Sequence, residues 1–189
     1  MIMSLIAEFQ KKVKHSHQLR ISSHGDGSDE GLVNMSSYSG VVEYYPEELV
    51  ITLKAGTVIK EVNKELAKNN QAFPFFIGNP EQTIGSLYAT SGAELSDSVL
   101  GVQIVNGKGE LLNFGGQVMK NVAGYDVSRL LVGSMGKLAI ITQISFKILP
   151  EKAAQNFQQE APIKNKENPL RLIYEAKLKN IFDPYGVFI

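Results

Sequence analysis

Apolar residues recur along this chain in two periods, and the switch between them sets the order of elements. Ile2, Leu5, Ile6, Phe9 and Val13 fall three and four apart, which predicts an amphipathic helix over the first fifteen residues. Short apolar and β-branched runs follow at Gln18–Ile21, Leu32–Met35 and Val41–Tyr45, and Pro46-Glu47-Glu48 forms a turn before a buried strand, Leu49–Lys54. Gly56 ends that strand and Thr57 offers a helix N-cap. Val58, Ile59, Val62 and Leu66 then form one apolar stripe opposite Lys60, Glu61, Lys64 and Lys68, and Asn69-Asn70 closes the helix. The next stretch, FPFFIGNP, carries Pro74 and Pro80 and is irregular. Thr83–Thr90 predicts a short helix capped by Thr83.

Further on, Val99–Val105 and Glu110–Phe114 are strands joined by the turn Asn106-Gly107-Lys108-Gly109. Leu138–Leu149 is the longest strand, with Ile144, Phe146 and Ile148 alternating against Ser145 and Lys147 until Pro150 stops it. Between them, Phe114–Gly136 gathers Gly115, Gly116, Gly124, Gly133 and Gly136 around a short amphipathic segment, Tyr125–Leu131. Such glycine density predicts backbone that passes close to a ligand or to packed protein. Residues 151–168 are polar with few apolar anchors and read as a linker. Leu170, Ile173, Leu178 and Ile181 restore helical spacing, and FDPYGVFI ends the sequence as a turn with an apolar tail able to dock. Hairpins outnumber crossover helices, so the expected class is α+β rather than a doubly wound parallel sheet.

Composition narrows the functions. Lys+Arg and Asp+Glu balance at 19 each, which argues against the basic face that nucleic-acid binding needs. The absence of cysteine excludes disulfides, thiolate catalysis, iron–sulfur ligation and a cysteinyl cofactor link on this chain. The apolar run in MIMSLIAEFQKKVK is too short for a signal peptide and no run approaches a membrane span, so a cytoplasmic location is expected.

Two stretches have the chemistry of an anion site. His24-Gly25-Asp26-Gly27-Ser28 follows a strand, and consecutive backbone N–H groups in such a loop can enclose a diphosphate; a plain turn is the competing reading. The loop is neither a Walker loop nor a Rossmann fingerprint. Thr83-Ile84-Gly85-Ser86 puts a hydroxyl and a glycine at a helix start, where the dipole favours phosphate or a flavin carbonyl, or where the threonine simply caps. His15, His17 and His24 lack metal spacing with carboxylates, and no nucleophile–base pair stands out, so no metal ligand and no catalytic residue is assigned. Asp126 reads as the cap of the segment containing Arg129, and Phe73, Phe75 and Phe76 as core or interface.

The run GGQVMKNVAGYDVSRLLVGSMGKLAIITQISFKILP resembles an FAD-binding subunit of the bacterial glycolate oxidases, flavoproteins of the vanillyl-alcohol oxidase/PCMH type. The similarity continues in PEELVITLKAGT, TIGSLYATSG, DSVLGVQIVNGKGELLNFGG and LKNIFDPYGVF, covering about residues 18–150 and 176–188. It implies a PCMH-type FAD-binding fold over residues 1–150, with subdomains of about 1–54 and 55–150 holding FAD between them. It implies that His24, Gly25, Asp26, Gly27 and Ser28 stand at the diphosphate loop. Thr83, Ile84, Gly85 and Ser86 correspond to the loop that lines diphosphate and flavin. Gly136, Ile140 and Ile141 fall where backbone meets the flavin or adenosine half. The implied activity is oxidation of a small 2-hydroxyacid within a multi-subunit complex, alongside a larger FAD-binding oxidase subunit and an iron–sulfur subunit. That complex would be cytoplasmic or held at the inner membrane through partners.

The pattern is also broken in places. His24 replaces the family's arginine, Ser86 its second glycine and Ala139 the glycine of LGIIT. The linker 151–168 stands where the family carries a substrate-covering cap domain, and 169–189 follow as a C-terminal helix and docking tail. A degenerate, non-catalytic structural subunit with weak or no FAD binding is therefore the alternative to an electron-transferring one.

Overall fold

The computed structural model describes residues 2–23, 30–117, 126–158 and 169–189. Helix α1 (Ile2–His15) buries Ile6, Phe9 and Val13, as their spacing requires, and Phe9 meets the Tyr38 ring edge-on at 5.9 Å. β1 (Arg20–Ser22) and β2 (Leu32–Asn34) pair in parallel. β3 (Val41–Tyr45) and β4 (Val50–Lys54) form a hairpin whose turn ends at Leu49, which takes a left-handed φ of 57°.

α2 (Ile59–Ala67) buries Ile59, Val62 and Leu66. Thr57 does not cap it, contrary to expectation. Its hydroxyl instead accepts from the Gly40 N–H at 2.8 Å and donates to the Lys54 carbonyl at 2.7 Å, closing the end of β4. The first amides of α2 bond across to Gln82 and Pro80 carbonyls at 3.0 and 2.9 Å, so no side-chain cap is needed.

β5 (Gln71–Ala72) leads through the buried, stacked Phe73 and Phe75 to α3 (Ile84–Thr90), followed by the short α4 (Ala93–Ser96). β6 (Val99–Asn106) and β7 (Leu111–Gly115) make the expected hairpin. α5 (Val127–Leu130) is capped by Asp126, whose carboxylate accepts from the Arg129 N–H. β8 (Ala139–Lys147) is followed by β9 (Leu149–Pro150), α6 (Glu151–Gln158) and α7 (Pro169–Phe182).

The principal sheet is antiparallel with order β3-β4-β8-β6-β7. β8 lies at its centre, which explains why it is the longest strand and the most apolar: both its edges are paired. Ile144 and Phe146 face the same side as their partners Leu53 and Ile51, where Phe73 and Phe75 complete the packing. The chain is thus α+β, with helices and hairpins around one antiparallel sheet.

Residues 151–158, read as part of a polar linker, are a helix instead. Ala154 is its one buried residue. The helix is held by contacts from far away in sequence: Glu151 N–H to the Asn70 carbonyl at 2.8 Å and Gln158 Nε2 to the Phe73 carbonyl at 2.7 Å. β5 and β9 pair just before it. Residues 159–168 lie outside the described part.

Candidate functional site

A cleft of about 240 Å³ opens between three walls. The first is the end of β1 with Ile21, Ser22 and Ser23, backed by Met35. The second is α3, presenting Thr83, Gly85, Ser86, Ala89 and Thr90. The third is Met135 and Gly136 with the start of β8. Ala55, Ala139 and Ile141 complete the lining.

The local structure explains each wall. Thr83 adopts extended backbone and its hydroxyl accepts from the Ser86 N–H at 3.2 Å, the expected cap. Gly85 brings α3 down onto the end of β4. Its N–H donates to the Ala55 carbonyl at 2.7 Å, and a Cβ at this position would stand 2.8 Å from Ala55 Cβ and 3.0 Å from that carbonyl oxygen. At the other end of α3, the Tyr88 and Ala89 carbonyls accept from Gly133 and Met135 N–H groups at 3.0 and 2.9 Å, which fastens the third wall to the helix. Met135 and Gly136 both have left-handed backbone, with φ of 55° and 73°.

A bulge aims the β8 side chains. Ile144 pairs with Val102 and Gln143 with Gln103, but Ile104 pairs with Ile141, so Thr142 is the extra residue. Its hydroxyl bonds to the Gln103 carbonyl and side-chain oxygens at 3.0 and 2.9 Å. Past the bulge the faces exchange, so Ala139 and Ile141 reach the cleft while Ile140 turns away beside Val105.

Of the residues expected to contact a cofactor, Thr83, Gly85, Ser86, Gly136 and Ile141 come together here. Two do not. Ile84 and Ile140 are fully buried in the core, because neighbouring positions of a helix or strand cannot share one face. The loop His24–Ser28 lies outside the described residues, although Ser23, directly before it, lines the cleft. Val118–Tyr125, with Lys120 and Asn121, also lies outside them. The lining residues that sequence reasoning passed over are Ile21–Ser23, Met35, Ala55, Ala89, Thr90, Met135 and Ala139. Only two carried a signal: Ala55, directly before Gly56, and Ala139, which stands where the similar family has a glycine.

The chemistry of the lining is specific. It contains hydroxyls (Ser22, Ser23, Thr83, Ser86, Thr90), small residues and aliphatic surface, and no ionisable side chain among the described residues. The first four N–H groups of α3 are all taken, by Thr57 O, Ala55 O, Thr83 Oγ1 and Thr83 O. This helix start therefore has no free backbone amide to offer an anion, and the Thr83 and Ser86 hydroxyls are the polar groups it presents to the cleft. The lining of the cleft is thus neutral, made of small, hydroxyl-bearing and aliphatic side chains.

Tyr88, on the same helix as Ser86 and Ala89, packs into the core rather than the cleft. It is fully buried, its hydroxyl donates to the Ser128 carbonyl, and burial, with a smaller contribution from Asp126, raises its pKa well above the ordinary value. No group of three or more candidate metal ligands occurs among the described residues. None of the described helices is long and apolar enough to cross a membrane.

A neutral cleft thus lies between the β1–β2 unit and the antiparallel sheet, and the family match identifies the class as an FAD-binding domain. Residues 15–115 match the FAD binding domain model, and the chain belongs to that family, whose cofactor is FAD. It is 41% identical over 132 residues to "Glycolate oxidase subunit GlcE" of Escherichia coli K12, covering 65% of this chain and 38% of that protein. It is 28% identical to a D-lactate dehydrogenase of Archaeoglobus fulgidus, covering 66% of this chain and 30% of that protein. It is 27% identical to glycolate oxidase subunit GlcD of Bacillus subtilis, covering 71% and 33%. The chain thus spans about a third of the length of these curated relatives. Among solved structures, alkyldihydroxyacetonephosphate synthase superposes with a TM-score of 0.58 at 22% identity, over 76% of this chain and 32% of that one, which supports the PCMH-type fold. The resemblance drawn from VMKNVAGYDVSRL and its flanks agrees with these matches.

The residues present fit the ring portion of FAD. Ala55, Ala89, Gly136 and Ala139 keep the lining low enough for a planar group, and the hydroxyls supply neutral hydrogen-bonding partners. The charge of a diphosphate is met by none of them.

Proposed function

We propose that this chain is the FAD-binding part of a glycolate oxidase-like 2-hydroxyacid oxidoreductase, and that the cleft between β1, α3 and Gly136 receives the cofactor's ring system. The neutral, small-residue lining of that cleft carries the reading, together with membership of the FAD binding domain family. The His24–Ser28 loop, entered directly from the cleft wall at Ser23, is proposed as the diphosphate site. When bound, FAD supplies two-electron acceptance from the α-carbon–hydrogen bond of a 2-hydroxyacid. The chain's own part is binding and orientation. Ile21, Met35, Met135 and Ile141 exclude water from the ring faces, while Ser86 and Thr90 orient its polar edge. None of these groups titrates near neutral pH, so a proton-accepting group is proposed to come from a segment or subunit beyond this cleft.

The names of the relatives support a multi-subunit setting: one is glycolate oxidase subunit GlcE and another subunit GlcD. A larger FAD-binding oxidase subunit and an iron–sulfur subunit are the proposed partners, the latter because a chain without cysteine holds no cluster. The alternative is a structural subunit that holds no flavin. The visible spectrum of the purified protein after gel filtration with added FAD separates the two. Flavin absorbance that co-elutes with wild type and is lost in Ser86→Trp, with unchanged circular dichroism, supports the cleft. A colourless wild-type protein that fails to take up FAD overturns the first reading.

A further inference from the structure

Lys179 and Asp183 stand one turn apart at the end of α7 and form a 2.6 Å ion pair in which the aspartate side chain is wholly enclosed. A buried carboxylate is tolerated only when its oxygens are partnered. Here Oδ1 accepts from the Val187 N–H at 2.8 Å and Oδ2 from the Phe188 N–H at 2.9 Å. The lysine Nζ in turn donates to two carbonyls, Phe188 O at 2.5 Å and Lys137 O at 2.7 Å.

These contacts reach both sides of the cleft. The tail that Asp183 folds is paired with the chain entering β1: Leu19 N–H donates to Val187 O at 2.7 Å, and Ile189 N–H to Leu19 O at 3.1 Å. Two residues beyond Leu19, Ile21 begins the first wall. Lys137, held by Lys179, directly follows Gly136 on the third wall. The two walls approach each other, since a Cβ at Gly136 would stand 3.7 Å from the Ile21 side chain. The tail itself is anchored independently of the cleft. Phe182 meets Phe114 edge-on at 6.0 Å, and its carbonyl accepts from the Gly107 N–H at 2.7 Å.

We propose that the Lys179–Asp183 pair is a positioning device for the cofactor cleft, tying the β1 wall and the Gly136 wall to one docked tail and so setting the gap between them. The pair touches neither cofactor nor substrate; it acts through Leu19 and Lys137. This rests on the reading of the cleft as the FAD site.

The test uses the full chain carrying Lys179→Met and Asp183→Asn together, which removes both charges and leaves neither buried alone. FAD titration by flavin fluorescence is combined with amide hydrogen exchange of the FAD-free protein. The expected result is a Kd for FAD raised tenfold or more, with faster exchange at Ile21, Ser22 and Met135–Lys137 and unchanged protection in β4, β6 and β8. A wild-type Kd in the folded variant overturns the proposal, and so does exchange accelerated equally throughout the sheet, which marks general destabilisation. Should the double variant not fold, Asp183→Asn alone, which leaves only the partly exposed Lys179 charge, is read by the same criteria. If the wild-type chain takes up no FAD, the functional reading fails, while the exchange pattern of the FAD-free variant still decides whether the pair holds the walls.

Discussion

Gly85 offers a measurement whose sign separates two reasons for a glycine. If it were there only to let a ligand approach the backbone, alanine would stabilise the FAD-free protein. Glycine is worse than alanine inside a helix by up to about 1 kcal/mol. The geometry predicts the opposite. The new methyl would lie 2.8 Å from Ala55 Cβ and 3.0 Å from the Ala55 carbonyl oxygen, which is backbone and cannot rotate away. The same oxygen accepts the 2.7 Å hydrogen bond from Gly85 N–H, so relief of the clash stretches that bond too. Overpacking of this kind costs about 1–3 kcal/mol, and partial loss of a hydrogen bond adds about 0.5–1.5 kcal/mol. Subtracting a helix-propensity gain of about 1 kcal/mol leaves Gly85→Ala destabilised by about 0.5–3.5 kcal/mol. Urea unfolding of the FAD-free protein, followed by circular dichroism with m held common to both chains, measures this directly. A midpoint equal to or above that of wild type would falsify the packing argument and return Gly85 to a pure ligand-contact role.

Two more outcomes are expected. Gly136→Ala places its methyl at ordinary contact distance, 3.7 Å, from Ile21, so its cost comes from the φ of 73° alone, about 1–2 kcal/mol in the same urea experiment; a loss beyond twice that would mean that the wall itself is displaced. Tyr88 has a folded-state pKa raised above the ordinary value by burial and, secondarily, by Asp126. Its contribution to stability is therefore fully present below the unfolded pKa of about 10 and declines as pH rises above it, by at most about 1.4 kcal/mol per pH unit. Tyr88→Phe should flatten the alkaline arm of the stability–pH curve, and an unaltered arm would show that Tyr88 is not its source.

Much of the fold was legible because single-element patterns carried it. The stripe Ile59, Val62, Leu66 and the alternation Ile144, Phe146, Ile148 each place one face in the core whatever surrounds them. Caps were legible where the bond is local: Thr83 to Ser86 N–H, and Asp126 to Arg129 N–H. They failed where the partner is distant. Thr57 has the right residue type and position, yet Gln82 and Pro80 carbonyls already serve the first turn of α2, and its hydroxyl is used elsewhere. Helix α6 was missed for the same reason: its composition is that of a linker, and its anchors, Asn70 and Phe73, lie some eighty residues earlier.

The sequence by itself determined the class and the cofactor family, because the motif after 118 is local and specific, and it marked Thr83, Gly85, Ser86, Gly136 and Ile141 of the cleft lining. Tertiary structure alone decided which of those residues face the cavity. A one-residue bulge at Thr142 sends Ile141 to the cleft and Ile140 away from it, and no periodicity in the strand announces where the alternation breaks. Structure also decided what the start of α3 can do. Its four amides look available in sequence, but Ala55, Thr57 and Thr83 occupy them, so the wall there is neutral. The physical reason is common to both. Hydrogen-bond partners and strand registers are set by residues far apart in the chain, and a local pattern fixes only the faces of the element it belongs to.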